Sequence, residues 1–164
     1  MSTPASIAKH PIHPMIVVLP IGLWIFSLVA DLIAFTGWRT PWHEVALYTM
    51  AAGVVGAFVA AVPGLIDLFS IKEKKSRGLA VYHLIDNLLA TVLFAFNVYL
   101  RATRDLGDIL PLSLSIAAIA LMGIGGWLGG ELVYVHGVGV DPGRPRSNTD
   151  NVRDFQRRKL RRIV

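Results

Sequence analysis

Hydrophobic positions in this chain do not alternate, and they do not recur on one face. They run almost unbroken through four stretches, at approximately 14–36, 44–70, 79–100 and 109–133. Each can cross a hydrocarbon core about 30 Å thick, which takes roughly 20 helical residues. Strands of a membrane barrel would alternate apolar and polar residues, and these stretches do not. The pattern therefore predicts an all-α fold, an integral membrane bundle of four transmembrane helices. The first stretch begins too late and runs too long for a signal peptide, and no small-residue cleavage site follows it, so it is expected to be retained.

Polar and helix-breaking residues punctuate the runs. Pro14 suits the first turn of helix one, where a missing N–H costs nothing. His13, just before it, is expected to be extended and near the N-cap. The loop GWRTPWH carries two tryptophans, which fits an interfacial belt, and Thr40–Pro41 reads as the cap and first turn of helix two. Pro63 predicts a kink near the end of that helix, and Ser76 is the expected cap of helix three. Gly53, Ala57, Ala61 and Gly56, Ala60, Gly64 form small-residue ladders in helix two. Gly125–Gly129 and Gly126–Gly130 do so in helix four. Such spacing admits a neighbouring helix, a second copy of the chain as a homo-oligomer, or a flat cofactor.

Composition agrees with the pattern: 54% of residues are hydrophobic and mean hydropathy is +0.55, outside the usual range of soluble domains. Cysteine is absent. That removes disulfides, thiolate metal sites, iron–sulfur clusters and covalent haem attachment, and leaves nitrogen and oxygen donors. The net charge of +5 is not a nucleic-acid signal, because thirteen of the sixteen basic residues fall on one side of the predicted membrane. Lys9, the loop IKEKKSRG and the arginine-rich C-terminus share that side, with only Arg39, Arg101 and Arg104 opposite. By the positive-inside rule both termini are cytoplasmic, in a bacterial cytoplasmic (inner) membrane. The chain divides into a four-helix domain over 9–141 and a basic tail over 142–164. The tail has room for a short surface helix on anionic lipid.

Ionisable residues inside such spans are costly, on the order of 2.5–3.5 kcal/mol at a helix centre. Several stand at the cytoplasmic end: His10 and His13 before helix one, Asp67 in helix two, His83, Asp86 and Asn87 in helix three, and Glu131, Tyr134 and His136 closing helix four. Four of the five histidines thus fall in one leaflet, from three helices. Asp67, Asp86, Asn87, Glu131 and Tyr134 lie at matching depth to support them, as second partners of ligating imidazoles usually do. On the other side, Asp31, His43 and Glu44 are expected to make an outer polar contact without functional meaning.

HPIHPMIVVLPIG, AAVPGLIDLF, YHLIDN and GGELVYVHGVGV together resemble a bacterial integral-membrane family of unknown function with four helices and recurring histidines. The likeness covers roughly residues 9–141. It implies functional weight on His10, His13, Asp67, His83, Asn87, Glu131 and His136. Some relatives of the family carry cytochrome c-like or Rieske-like domains, which implies electron transfer to a redox partner protein, although this chain has neither domain.

Three functions remain open. The first is a b-type cytochrome, with His83 the best axial ligand of haem b, His136 or His13 its partner, and the helix-four glycines facing the macrocycle. The second is a non-haem site for zinc, copper or iron chelated by His10, His13, His83 and His136. The third is a structural or partner-binding subunit with the polar cluster as interhelical glue. No inverted repeat or continuous polar stripe suggests a transporter. Ser113 and Ser115 lack the neighbours of a hydrolase, so no enzyme class is assigned.

Overall fold

The computed structural model describes residues 3–8, 10–37, 39–103 and 109–140. Residues 141–164, with the predicted surface helix, lie outside that range. Four long helices carry the chain: α1 (Ile12–Phe35), α2 (Arg39–Ser70), α3 (Lys74–Thr103) and α4 (Ile109–Tyr134). All four are long and apolar enough to cross a membrane. Their outer faces expose Phe58, Val62, Phe69 and Trp127 among many large apolar side chains. Water would not tolerate such a surface, and lipid requires it.

By their packing the helices form two hairpins, α1–α2 and α3–α4. Each packs more extensively within itself than against the other; across the seam, α2 meets α3 more than α1 meets α4. One layer at mid-bundle takes a residue from every helix: Trp24, Met50, Phe94 and Ala118. Trp24 stacks on Phe94 at 4.3 Å, with ring planes 13° apart, and its indole N–H donates to Met50 O at 3.2 Å. Gly53 lies directly under that indole. Helix two runs unbroken through Pro63.

The ends depart from expectation in three places, the first being α2, which already begins at Arg39, so Thr40 lies inside the helix and is not its cap. His13 is helical, not extended: α1 begins at Ile12, and its N-cap is Pro11 (φ −67, ψ 129). Pro14 falls among the first residues, whose amides have no intrahelical acceptor, so the helix loses no bond by starting early. Before it, β1 (Ser6–Ile7) and β2 (His10–Pro11) form a small antiparallel hairpin that turns through Ala8 at φ +49. The Ala5 amide donates to Asp67 Oδ1 at 3.1 Å, fixing this hairpin to the end of α2.

Ser76 is likewise not the cap of α3. Glu73 takes that role, its two oxygens accepting from the amides of Lys75 (2.9 Å) and Ser76 (2.6 Å). A carboxylate has two acceptors for adjacent orphan amides, where a hydroxyl has one good position. Bonding to Ser76 and Lys75 holds the Glu73 carboxyl down to about 2. A depressed acid stabilises the folded state above its unfolded value, near 4.5, and loses that contribution as pH falls through about 2. Hydrogen-exchange protection of the Lys75 and Ser76 amides should therefore hold at neutral pH and decline across that window. Glu73→Gln should show weakened, pH-independent protection. Unchanged protection in Glu73→Gln would remove Glu73 as the cap.

Candidate functional site

Two of the four predicted histidines meet. His13, in the first turn of α1, bonds through Nδ1 to Ala60 O of α2 at 2.8 Å. His83 of α3 bonds through Nδ1 to Gly125 O of α4 at 2.8 Å. A carbonyl only accepts, so in both rings Nδ1 is the donor and Nε2 is the nitrogen not engaged by that bond. The ring centres are 6.2 Å apart with planes at 90°. Each imidazole is thus oriented by its own hairpin, and the two face each other across the seam.

Glycines make this possible. A Cβ on Gly64 would stand 2.9 Å from His13 Nδ1, and one on Gly129 would stand 3.1 Å from His83 Cε1. A Cβ on Gly125 would stand 2.6 Å from both Asp86 Oδ2 and Asn87 Nδ2. Gly125 and Gly129 therefore receive the polar side chains of α3 instead of facing a macrocycle, while Gly123 and Gly126 open outward. Asn87 Nδ2 lies 3.2 Å from His83 Nδ1, but that nitrogen is already a donor, and the amide donates to His83 O at 2.7 Å. Asp86 Oδ2 is buried without a well-formed hydrogen bond. Asp67 is buried and holds the N-terminal hairpin, within electrostatic reach of His13.

The other predicted residues lie apart from the pair. His10 sits exposed in the hairpin with Nδ1 on Ala8 O at 2.9 Å. His136 bonds Glu131 O at 3.2 Å and shares with Glu131 a groove beside Lys74, Lys75 and Tyr82. Tyr134 is 89% exposed. Among the described residues, no three His, Asp or Glu side chains gather into a chelating group.

At the opposite end of the bundle stands a network that sequence reasoning missed. Asp31 does not pair with His43 or Glu44. It takes a two-pronged bond from Arg101, NH1 to Oδ1 at 2.6 Å and NH2 to Oδ2 at 2.7 Å, with both side chains at most 5% exposed. Ser115 donates to Asp31 Oδ2 at 3.0 Å. Asn97 accepts from Arg101 Nε at 3.0 Å and donates to Pro111 O and Ser115 Oγ. The signal was a polar pair four residues apart at the end of an apolar run, Asn97 and Arg101, with Arg101 read as a loop cation. His43 lines the same small cavity as Asp31 and Arg101.

A family model described as predicted membrane protein (DUF2231) matches residues 9–142. No curated protein and no solved structure matches the chain.

Proposed function

We propose that this chain, which belongs to the family of predicted membrane proteins (DUF2231), is an electron-transfer protein holding a b-type haem between His13 and His83. The observation that carries the reading is the facing pair of imidazoles, each fixed through Nδ1 with Nε2 left for a ligand. The ring centres stand 6.2 Å apart, and His13 and His83 would be the two residues to hold the iron, each through the nitrogen its carbonyl bond leaves free. Two donors suffice for haem, whereas a bare metal chelate needs three or more.

Bound there, the group would supply a one-electron iron couple in a low-dielectric setting. The chain's own part is positional. Ala60 and Gly125 carbonyls set the two rings, Gly64 and Gly129 give them room, and the thinner contact between hairpins supplies the seam. Asp86 leaves a carboxyl oxygen near His83 without a well-formed hydrogen bond, a polar group at the edge of the site.

Absorption spectra of protein purified from haem-replete membranes test this. The wild type should show a Soret band that shifts on reduction. His13→Ala and His83→Ala should each lose it, while His10→Ala and His136→Ala keep it. Full haem occupancy in His83→Ala, or none in the wild type, would overturn the assignment and leave the cluster as interhelical glue.

A further inference from the structure

We infer that the groove between the start of α3 and the end of α4 binds the head of a phospholipid carrying both a phosphate and a primary ammonium, phosphatidylethanolamine. The inference is independent of the redox reading. One wall carries Lys74 and Lys75, exposed in the first turn of α3, and the other carries Glu131 and His136. Among the described residues neither lysine ammonium nor the Glu131 carboxylate makes an ion pair or side-chain hydrogen bond. Glu73 lines the same wall and keeps its charge, but both of its oxygens are taken by the α3 amides, so Glu131 is the carboxylate left to accept from a ligand. His136 bonds Glu131 O through Nδ1, so Nε2 is the nitrogen left for a ligand. Gly78, exposed between the two walls, adds no side chain, and a Cβ there would meet nothing within 4 Å, so the space above it is open.

Position and charge select the occupant. The groove lies at the lysine-rich end, where headgroups meet the protein. Tyr82 forms its lip at 67% exposure, an aromatic at interfacial depth. From it Ile85 and Leu89 continue along α3 at helical spacing, exposed at 49% and 54%, a path for an acyl chain. Two ammoniums and two carboxylates, of which Glu131 alone has its oxygens free, make a neutral groove that complements a zwitterion. A head bearing only a phosphate would meet Glu131 without a partner for it. A quaternary ammonium has no N–H to give that carboxylate, and a primary ammonium has three.

Native mass spectrometry of delipidated protein, titrated with phosphatidylethanolamine, phosphatidylglycerol and phosphatidylcholine, tests the inference. One phosphatidylethanolamine should bind on the order of tenfold more tightly than either alternative, the scale of one charge-assisted hydrogen bond. Glu131→Gln should abolish that preference while leaving phosphatidylglycerol binding at or above its wild-type level. A Lys74→Ala/Lys75→Ala variant, altered only at exposed positions, should weaken all three lipids. Equal binding of the three, a preference for phosphatidylglycerol, or a preference that survives Glu131→Gln would overturn it. The haem spectrum of the same samples reports on the redox proposal separately.

Discussion

Arg101→Leu is expected to destabilise the protein by about 3–5 kcal/mol, the range for removing one partner of a buried ion pair. The guanidinium satisfies both oxygens of Asp31 and the side-chain oxygen of Asn97, and all of this lies inside the bundle. Without it, Asp31 keeps only the Ser115 hydroxyl and becomes an uncompensated buried charge. Asp31→Leu should cost a similar amount by stranding the guanidinium. The double variant should recover much of the loss, because no charge then remains to be desolvated. Thermal unfolding in one detergent measures all four proteins. The single variants should melt on the order of 10 °C below the wild type, and the double variant above either single. Additive losses in the double variant would mean that the two side chains act separately, against the geometry described.

The next largest effect is expected from one methyl group. Gly53→Ala places a Cβ 2.5 Å from Trp24 Cδ1 and Nε1. The indole cannot move away freely, since Phe94 stacks on it at 4.3 Å and its N–H is held by Met50 O. Either the stack or the α1–α2 spacing must give, at about 1–3 kcal/mol for an overpacked core. Gly126→Ala is the matched control. Its Cβ would meet nothing within 4 Å, so the helix-propensity gain of up to about 1 kcal/mol is unopposed. The two variants should therefore shift the melting temperature in opposite directions, with a tryptophan emission change only in Gly53→Ala. A Gly53→Ala protein as stable as the wild type would show that this layer packs loosely.

Four spans were legible because lipid imposes a length and a composition that no local competition masks. Helix ends were less so. His13 before Pro14 reads as extended by local sterics, yet the helix begins at Ile12 because Pro14 falls where no intrahelical donor is needed. The pairing of side chains was the least legible. Asp31 was assigned to His43 and Glu44, its neighbours in chain order, but its partner is 70 residues away. That choice depends on which helix face turns toward which. These helices are apolar nearly all round, so their periodicity says little about rotation. The same gap explains the histidines. Position along the spans grouped His10, His13, His83 and His136 at one end, but position along a helix does not give azimuth. His13 and His83 turn inward, while His10 and His136 do not join them. The glycine ladders were visible as close-approach positions; what approaches Gly64 and Gly129 is an imidazole, which only the packed bundle reveals.

The division into two hairpins has a consequence for biogenesis. As the chain leaves the ribosome, α1 and α2 can enter the membrane as one unit, and the bond from His13 to Ala60 lies wholly within it. The bond that orients His83 on Gly125 likewise lies wholly within the second unit. Each half carries all it needs to aim its own imidazole. Any function that needs both rings then begins only when the halves dock, so an incompletely assembled molecule is silent and not merely impaired. The last event of assembly and the first competence of the site are one event.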